Sequence, residues 1–392
     1  MRAIICLLMV ISPLWAAPKP GDAGTPEFEK ATTLVKQLAS PRFADREAAV
    51  KQLVAMEAAA IPALTNGSRG ADEEVRNRCL SSLMQIRQIA RNRRLEAYLA
   101  DREGKQQHDL PLLLEWRKVV EKPDDSARRL YAEMLRCDGE LLEQANADHA
   151  AVPELIKTHC RALVAQVRDG DRQKPLEIGQ LAAVFFVQML DEKTDAFFSK
   201  TDHPAHLLPN PGIVEGVKSK ELGPAFRRLL GAWGTGRHTL LDDAASYQFF
   251  GFAVHECPFP EAVPTLVRAA KGPTHAAHHI RGVAIAALGK IGDQNAKAAL
   301  AGMVDDRGEF FRSLGPNKPF DCRIGDHAFA ALLAAEHKKP EDYGLVATDP
   351  MGLKVAAQGP YVSIAIWYFP NPDARQKGIE KWKSEQAAKK DK

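Results

Sequence analysis

Arg46-Glu47-Ala48-Ala49-Val50-Lys51-Gln52-Leu53 carries the pattern Arg-x-x-small-x-x-x-Leu. It returns as Arg76-Asn77-Arg78-Cys79-Leu80-Ser81-Ser82-Leu83 and again as Arg281-Gly282-Val283-Ala284-Ile285-Ala286-Ala287-Leu288. A fourth version, Gly325-x-x-Ala328-x-x-x-Leu332, keeps the small and large apolar positions and loses the arginine. The first two copies begin 30 residues apart, and self-similarity at such a period marks an array of stacked units. In a two-helix repeat the second helix lies between neighbours, so it needs a small residue at the close approach and a leucine one turn on. Cys79, standing where alanine stands elsewhere, reads as a buried small hydrophobe and not as a reactive thiol. The arginine one turn earlier has the reach to hydrogen-bond carbonyl or carboxylate groups across the turn of the next repeat.

Working outward, Phe28, Thr32, Val35 and Leu38 share a face at helical spacing, and Ser40-Pro41 ends that helix and starts the next. Ile61-Pro62-Ala63-Leu64 opens a short third helix with proline in the first turn, where the missing N–H costs nothing. Val263-Pro264-Thr265-Leu266 and Val152-Pro153-Glu154-Leu155 are openings of the same kind. Asp72 reads as an N-cap, Glu73 and Glu74 suit the positive helix end, and the fourth helix is expected to run to about Ile89. In the middle, Leu112, Leu113, Leu114 and Trp116 mark one helix. Asp124, Asp125 and Ser126 cap another that faces inward with Leu130, Met134 and Leu135, and Leu176 to Leu190 is a long apolar helix. Strand signals are nearly absent, and only Tyr361 to Phe369 competes. The fold class is therefore all-α: an α-solenoid of stacked helix pairs with an irregular middle, as one array or as two arrays meeting near a proline-rich break.

The expected organisation is a signal peptide at 1–17, a flexible mature N-terminus at 18–27 and an N-terminal helical repeat region at 28–200. A proline-rich break at 201–223, a C-terminal helical repeat region at 224–384 and a charged tail at 385–392 follow. The leader reading rests on Arg2, the apolar run from Ala3 to Trp15 and small residues at Ala16 and Ala17, where cleavage is expected. The run is too short to span a bilayer, which takes about 20 apolar residues, and no later stretch is apolar enough to cross one. A periplasmic or secreted, soluble mature chain is expected.

Basic and acidic side chains number 53 and 50, for a formal charge of +3, and loss of Arg2 lowers it by one. Such a balance gives no electrostatic reason to expect nucleic acid or an anionic membrane as partner. Without Cys6 the chain keeps Cys79, Cys137, Cys160, Cys257 and Cys322, an odd number at wide spacings with no C-x-x-C. At most one or two bridges are expected, and their pairing is not readable from sequence.

Ile61-Pro62-x-Leu64 followed by Glu74-Val75-Arg76, and Val263-Pro264-x-Leu266 followed by Ile280-Arg281, resemble HEAT repeats in their short bacterial form. The wider chain resembles exported bacterial HEAT-repeat proteins, a group without an assigned function. It does so through Ser40 to Ala49, Trp116 to Val120, Asp326 to Leu333 and Pro340-Glu341-Asp342-Tyr343-Gly344. The resemblance implies an α-solenoid that binds something and supplies no catalytic residues.

Candidate chemistry is sparse. His275, His278 and His279 form the one dense group of metal-type ligands. His275 and His279 are four apart on one helix face, yet they lack the intervening acid of H-E-x-x-H. His255-x-Cys257 and His159-Cys160 fit no nucleophile signature. Asp202, His203 and His206 fall in the proline-rich break, where an inserted site is conceivable. Gly231 to Gly236 lacks the Lys and Ser/Thr of a phosphate-binding loop, and Arg91 to Arg94 reads as a solvated helix face. No catalytic, cofactor or metal residue is assigned. The expectation is a non-catalytic scaffold or adaptor that binds a protein partner along the solenoid face. The alternatives are an enzyme or metal protein with a site near 201–223 or the histidine cluster, and a small-ligand protein of the tetrapyrrole-handling kind, since some short HEAT-like repeats belong to bilin lyases.

Overall fold

The computed structural model describes residues 25–169, 175–190, 203–236, 244–272, 278–313, 320–347, 351–354, 361–364 and 366–390. The expected signal peptide and residues 18–24 lie outside them. The fold is all-α, and its contacts divide it into two units, 1–108 and 109–392.

The first unit is two helix pairs. Helix α1 (Pro26–Gln37) precedes α2 (Phe43–Ala55), and α3 (Ile61–Gly67) precedes α4 (Glu73–Ala100). The Thr25 hydroxyl accepts from Phe28 N at 3.2 Å, and the Asp72 carboxylate accepts from Val75 N at 3.0 Å, each satisfying one orphan donor of a first turn. Ala49, Leu53, Ala63, Leu64, Cys79, Leu83 and Ile86 form a continuous buried core with Ala31, Leu34 and Leu38. The small positions of the pattern are buried as the sequence demands, and burial pushes the Cys79 thiol up in pKa. Helix α4 runs eleven residues past the expected stop at Ile89. No glycine or proline interrupts that stretch, and Arg93 fixes it by a two-armed ion pair to Glu57, at 3.0 and 2.7 Å.

The second unit begins with α5 (Leu113–Val120), α6 (Asp125–Ala147), α7 (Val152–Asp169) and α8 (Ile178–Gln188). Leu130, Met134 and Leu135 are fully buried, and α6 is kinked at Asp138, whose φ of −147° and ψ of 44° are not helical. Helix α8 lies so close to α6 that a side chain at Gly179 would collide with the Glu133 carbonyl oxygen. Then come α9 (Pro211–Lys218), α10 (Gly223–Thr235), α11 (Ala244–Glu256), α12 (Val263–Lys271), α13 (His278–Ile291), α14 (Gln294–Ala301) and α15 (Ile324–Ala335). Helix α13 packs between α11 and α15, while α12 lies against α13 and α14 against α15, which is the stacking of helix pairs that the repeated pattern calls for.

Residues 203–223, expected as a break, are packed structure. Pro204 opens a 3-10 turn and Pro211 opens α9, both at first-turn positions, so these prolines start elements and do not interrupt them. Between the two, the Asn210 side-chain oxygen accepts from Leu176 N at 3.0 Å and Gly212 N at 2.9 Å.

The C-terminal part differs from a purely helical repeat region. Strands β1 (Glu309–Ser313) and β2 (Phe320–Arg323) pair antiparallel between α14 and α15. After α15, β3 (Val346–Ala347) pairs with β6 (Trp367–Tyr368), and β4 (Met351–Lys354) pairs with β5 (Tyr361–Ile364). Only β5 and β6 fall within the stretch that competes as strand in the sequence. Strands β1 to β4 are segments of two to five residues with no run like Tyr361 to Phe369 around them, so nothing in the sequence marks them as strands. Helix α16 (Pro372–Lys390) follows, so residues 385–390, expected as a charged tail, are helical. Glu385 is held there by Lys338 Nζ at 2.7 Å and the Tyr343 hydroxyl at 2.6 Å. Phe369 and Trp382 pack on Phe329 of α15.

The pattern arginines do one job three times. Arg46 Nη1 donates to the carbonyls of Ser40 and Pro41, at 2.8 and 3.3 Å, and Arg76 Nη1 to those of Gly70 and Ala71, at 3.0 and 2.6 Å. Arg281 Nε donates to Ala270 O at 2.7 Å. Arg46 and Arg76 thus tie down the turn of their own helix pair, and Arg281 ties α13 to the last turn of α12. Arg46 and Arg281 also reach onward, to Glu74 at 3.1 Å and Asp306 at 3.2 Å, which is the across-repeat contact expected from sequence. Replacing Arg76 by Met is expected to lower stability by about 1 kcal/mol, the usual worth of such half-exposed bonds, measured by urea unfolding. No change would mean that the turn holds without it.

At the worn fourth copy the structure explains the glycine. A side chain at Gly325 would collide with the carbonyl oxygens of Val304 and Asp306, and the Gly325 N–H donates to Asp306 O at 3.0 Å. The missing guanidinium comes from α16. Arg375 Nη2 donates to Val304 O at 2.6 Å and its Nε to the Asp326 carboxylate at 2.9 Å.

Candidate functional site

His275 lies outside the described residues, and His278 and His279 begin α13 with side chains outside them. Asp202 lies outside as well. His203 is buried and caps its own 3-10 turn, its Nδ1 accepting from Ala205 N at 3.1 Å. Its other ring nitrogen is 3.3 Å from Gln188 Nε2, and the Gln188 oxygen accepts from Trp233 Nε1 at 2.6 Å. These groups serve the core among Phe185, Trp233 and Phe250, and the Gly231 to Gly236 stretch is the end of α10. His206 belongs to the same turn as His203.

The two histidine–cysteine pairs are not brought together as nucleophile and base. Lys290 Nζ donates to His255 Nδ1 at 3.3 Å and to the His255 carbonyl at 3.0 Å. Burial first, and then the Lys290 charge, hold that imidazole below its ordinary pKa. Cys257 is buried and its thiol is pushed up by burial. His159 pairs with Asp138 at the α6 kink, 3.1 Å away, which raises its pKa, while Cys160 is fully buried. Nearby, Cys137 donates its thiol proton to Glu177 Oε2 at 3.0 Å. Burial, then that carboxylate, push its pKa up to about 12, the opposite of what a thiolate nucleophile requires. Among the described residues, Cys79, Cys137, Cys160, Cys257 and Cys322 form no disulfide.

What sequence reading missed is an apolar presence in water on the second helices of the first unit. Phe43 on α2 is 64% exposed, and Leu80 and Met84, four apart on α4, are 48% and 61% exposed. Beside them opens a groove of about 570 Å³ lined by Glu73, Glu74, Asn77, Arg78 and Ser81. Its charges are held in a chain: Arg46 to Glu74 at 3.1 Å, Glu74 to Arg78 at 3.1 Å, and Arg78 to Glu47 at 2.8 Å. The ion pairs link α2 to the first turns of α4, and the Arg46 guanidinium lies over the Phe43 ring, 5.7 Å from its centroid. The available signal was in the pattern itself. Leu80 falls next to the buried Cys79, where a helix with one buried stripe would carry a polar residue.

No protein-family model matches the chain, and no curated protein sequence matches it. Among solved structures, the chain is similar to human deoxyhypusine hydroxylase in complex with glycerol. The identity is 16% over 80% of this chain and 98% of that one, with a TM-score of 0.20. So slight a likeness transfers no activity.

Proposed function

We propose that the chain is an exported, non-catalytic scaffold that holds a protein partner against the second-helix face of its first unit. The observation that carries this reading is the exposure of Phe43, Leu80 and Met84 beside an ordered set of ion pairs. Large apolar side chains left in water on helices that also carry oriented charges are the raw material of an interface. Stacked helix pairs suit the role, because they present an extended face on a rigid frame. Export rests on the leader reading of residues 1–17.

The test is affinity capture of the tagged mature chain from the envelope fraction at moderate salt, read by mass spectrometry. Recovery of one protein in stoichiometric amount, lost with Phe43→Ser, supports the reading. A preparation without partners, or a partner indifferent to Phe43→Ser and Met84→Ser, removes it.

A further inference from the structure

The exposed row on α4 has a second regularity. Glu73, Asn77, Leu80, Met84, Arg87 and Arg91 follow one another at alternating steps of four and three, the spacing at which two helices pack along a seam. The first five are exposed and Arg91 is half-buried. Along this row the chemistry runs from acidic, through apolar, to basic. We propose that the row pairs with the same row of a second copy of this chain, antiparallel, about a two-fold axis between Leu80 and Met84. The inference rests on the docking reading above and names the occupant of the α4 part of that face.

The register follows from the charges. Antiparallel pairing about that axis sets Leu80 against Met84 of the other copy, Asn77 against Arg87, and Glu73 against Arg91, each contact made twice by symmetry. Parallel pairing would set Glu73 on Glu73 and Arg87 on Arg87, an arrangement opposed by like-charge repulsion. Ser81 falls on the flank of the seam at the axis, small enough to let the helices approach. Beyond Arg91 the same side of α4 carries Leu95 and Tyr98, which are buried within the chain. The seam therefore spans about 27 Å of helix. Two apolar side chains per copy and an ion pair at each end make a weak, salt-sensitive dimer.

Sedimentation equilibrium of the mature chain, from micromolar to submillimolar concentration and at low and high salt, tests this. The expected result is a monomer–dimer equilibrium weakened by salt. Glu73→Arg should raise the dissociation constant about tenfold or more, and Glu73→Arg combined with Arg91→Glu should bring it back towards wild type, because the swapped pair is regenerated across the axis. Leu80→Asp should abolish association. Under mild oxidation a mixture of Leu80→Cys and Met84→Cys chains should give a covalent dimer, because these positions face each other across the seam, whereas Asn77→Cys should not, since its two copies stand about 15 Å apart in this register. A chain monomeric throughout the range, a dimer indifferent to Glu73→Arg and Leu80→Asp, or crosslinking through Asn77→Cys equal to that of the Leu80→Cys and Met84→Cys mixture overturns the proposal. Unfolding curves of each variant separate loss of pairing from loss of fold. A monomer that still captures a partner through Phe43 would leave the scaffold reading standing and remove only the self-pairing.

Discussion

Arg375→Met should cost about 3–5 kcal/mol of stability at neutral pH, the range found when one member of a buried ion pair is removed. Asp326 is 3% exposed at its side chain and Arg375 16%, so neither charge has water to fall back on. Burial already raises the Asp326 pKa, with Arg375 the main opposing influence. Without the guanidinium the carboxyl would take up a proton sooner, so the loss should shrink as pH falls. The Val304 carbonyl also loses its donor. Urea unfolding at pH 7.5 and pH 5 measures both points, and a loss below about 1 kcal/mol at the higher pH would sink the account. Asp326→Asn added to Arg375→Met should recover part of the loss. Gly325→Arg should not, because a side chain there collides with the backbone at residues 304–306 before its guanidinium reaches anything.

The second large effect is a pH dependence placed in one imidazole. His327 is buried on α15, its Nε2 lies 3.3 Å from Gly282 O on α13, and burial lowers its pKa from 6.5 to about 4. The unfolded chain binds this proton more readily than the folded one throughout that window. The stability contribution is therefore complete above about pH 6.5 and is lost as pH falls towards 4. A shift of this size is worth about 3 kcal/mol. His159, raised by Asp138, and Asp326, raised by burial, act in the opposite sense. Those groups are common to wild type and His327→Gln, so the difference between the two isolates His327. The stability gap between wild type and His327→Gln should move by about 3 kcal/mol in favour of the variant between pH 7 and pH 4. A gap constant with pH would show that the imidazole charges freely in the fold.

The repeat pattern made much of the architecture legible, since its small and large apolar positions report close approach and burial directly. Ala49, Cys79, Ala284 and Ala328 are all buried, and so are the leucines four residues after each. The arginine's role was half legible. Its reach to a carboxylate of the next repeat holds for Arg46, while the tie to its own turn depends on loop geometry that residue spacing does not encode. Residues 203–223 and 385–390 differ from expectation for one reason: composition does not report conformation. Prolines there start elements, and a polar helix such as α16 is stabilised by what it covers, through Phe369, Ile379 and Trp382. The candidate site was the least legible part. Histidines and cysteines attract notice by chemistry, yet His203, His255 and Cys257 are engaged in the core. The exposure of Leu80 and Met84 becomes visible only when the neighbours of α4 are placed.

The borrowed arginine has a consequence for how the protein is made. Asp326 precedes Arg375 by 49 residues, so the acid has its counter-ion only once α16 has docked on α15. Until then the fourth repeat is an unfinished surface, open to chaperones and proteases. That end of the array is complete only when α16 is in place.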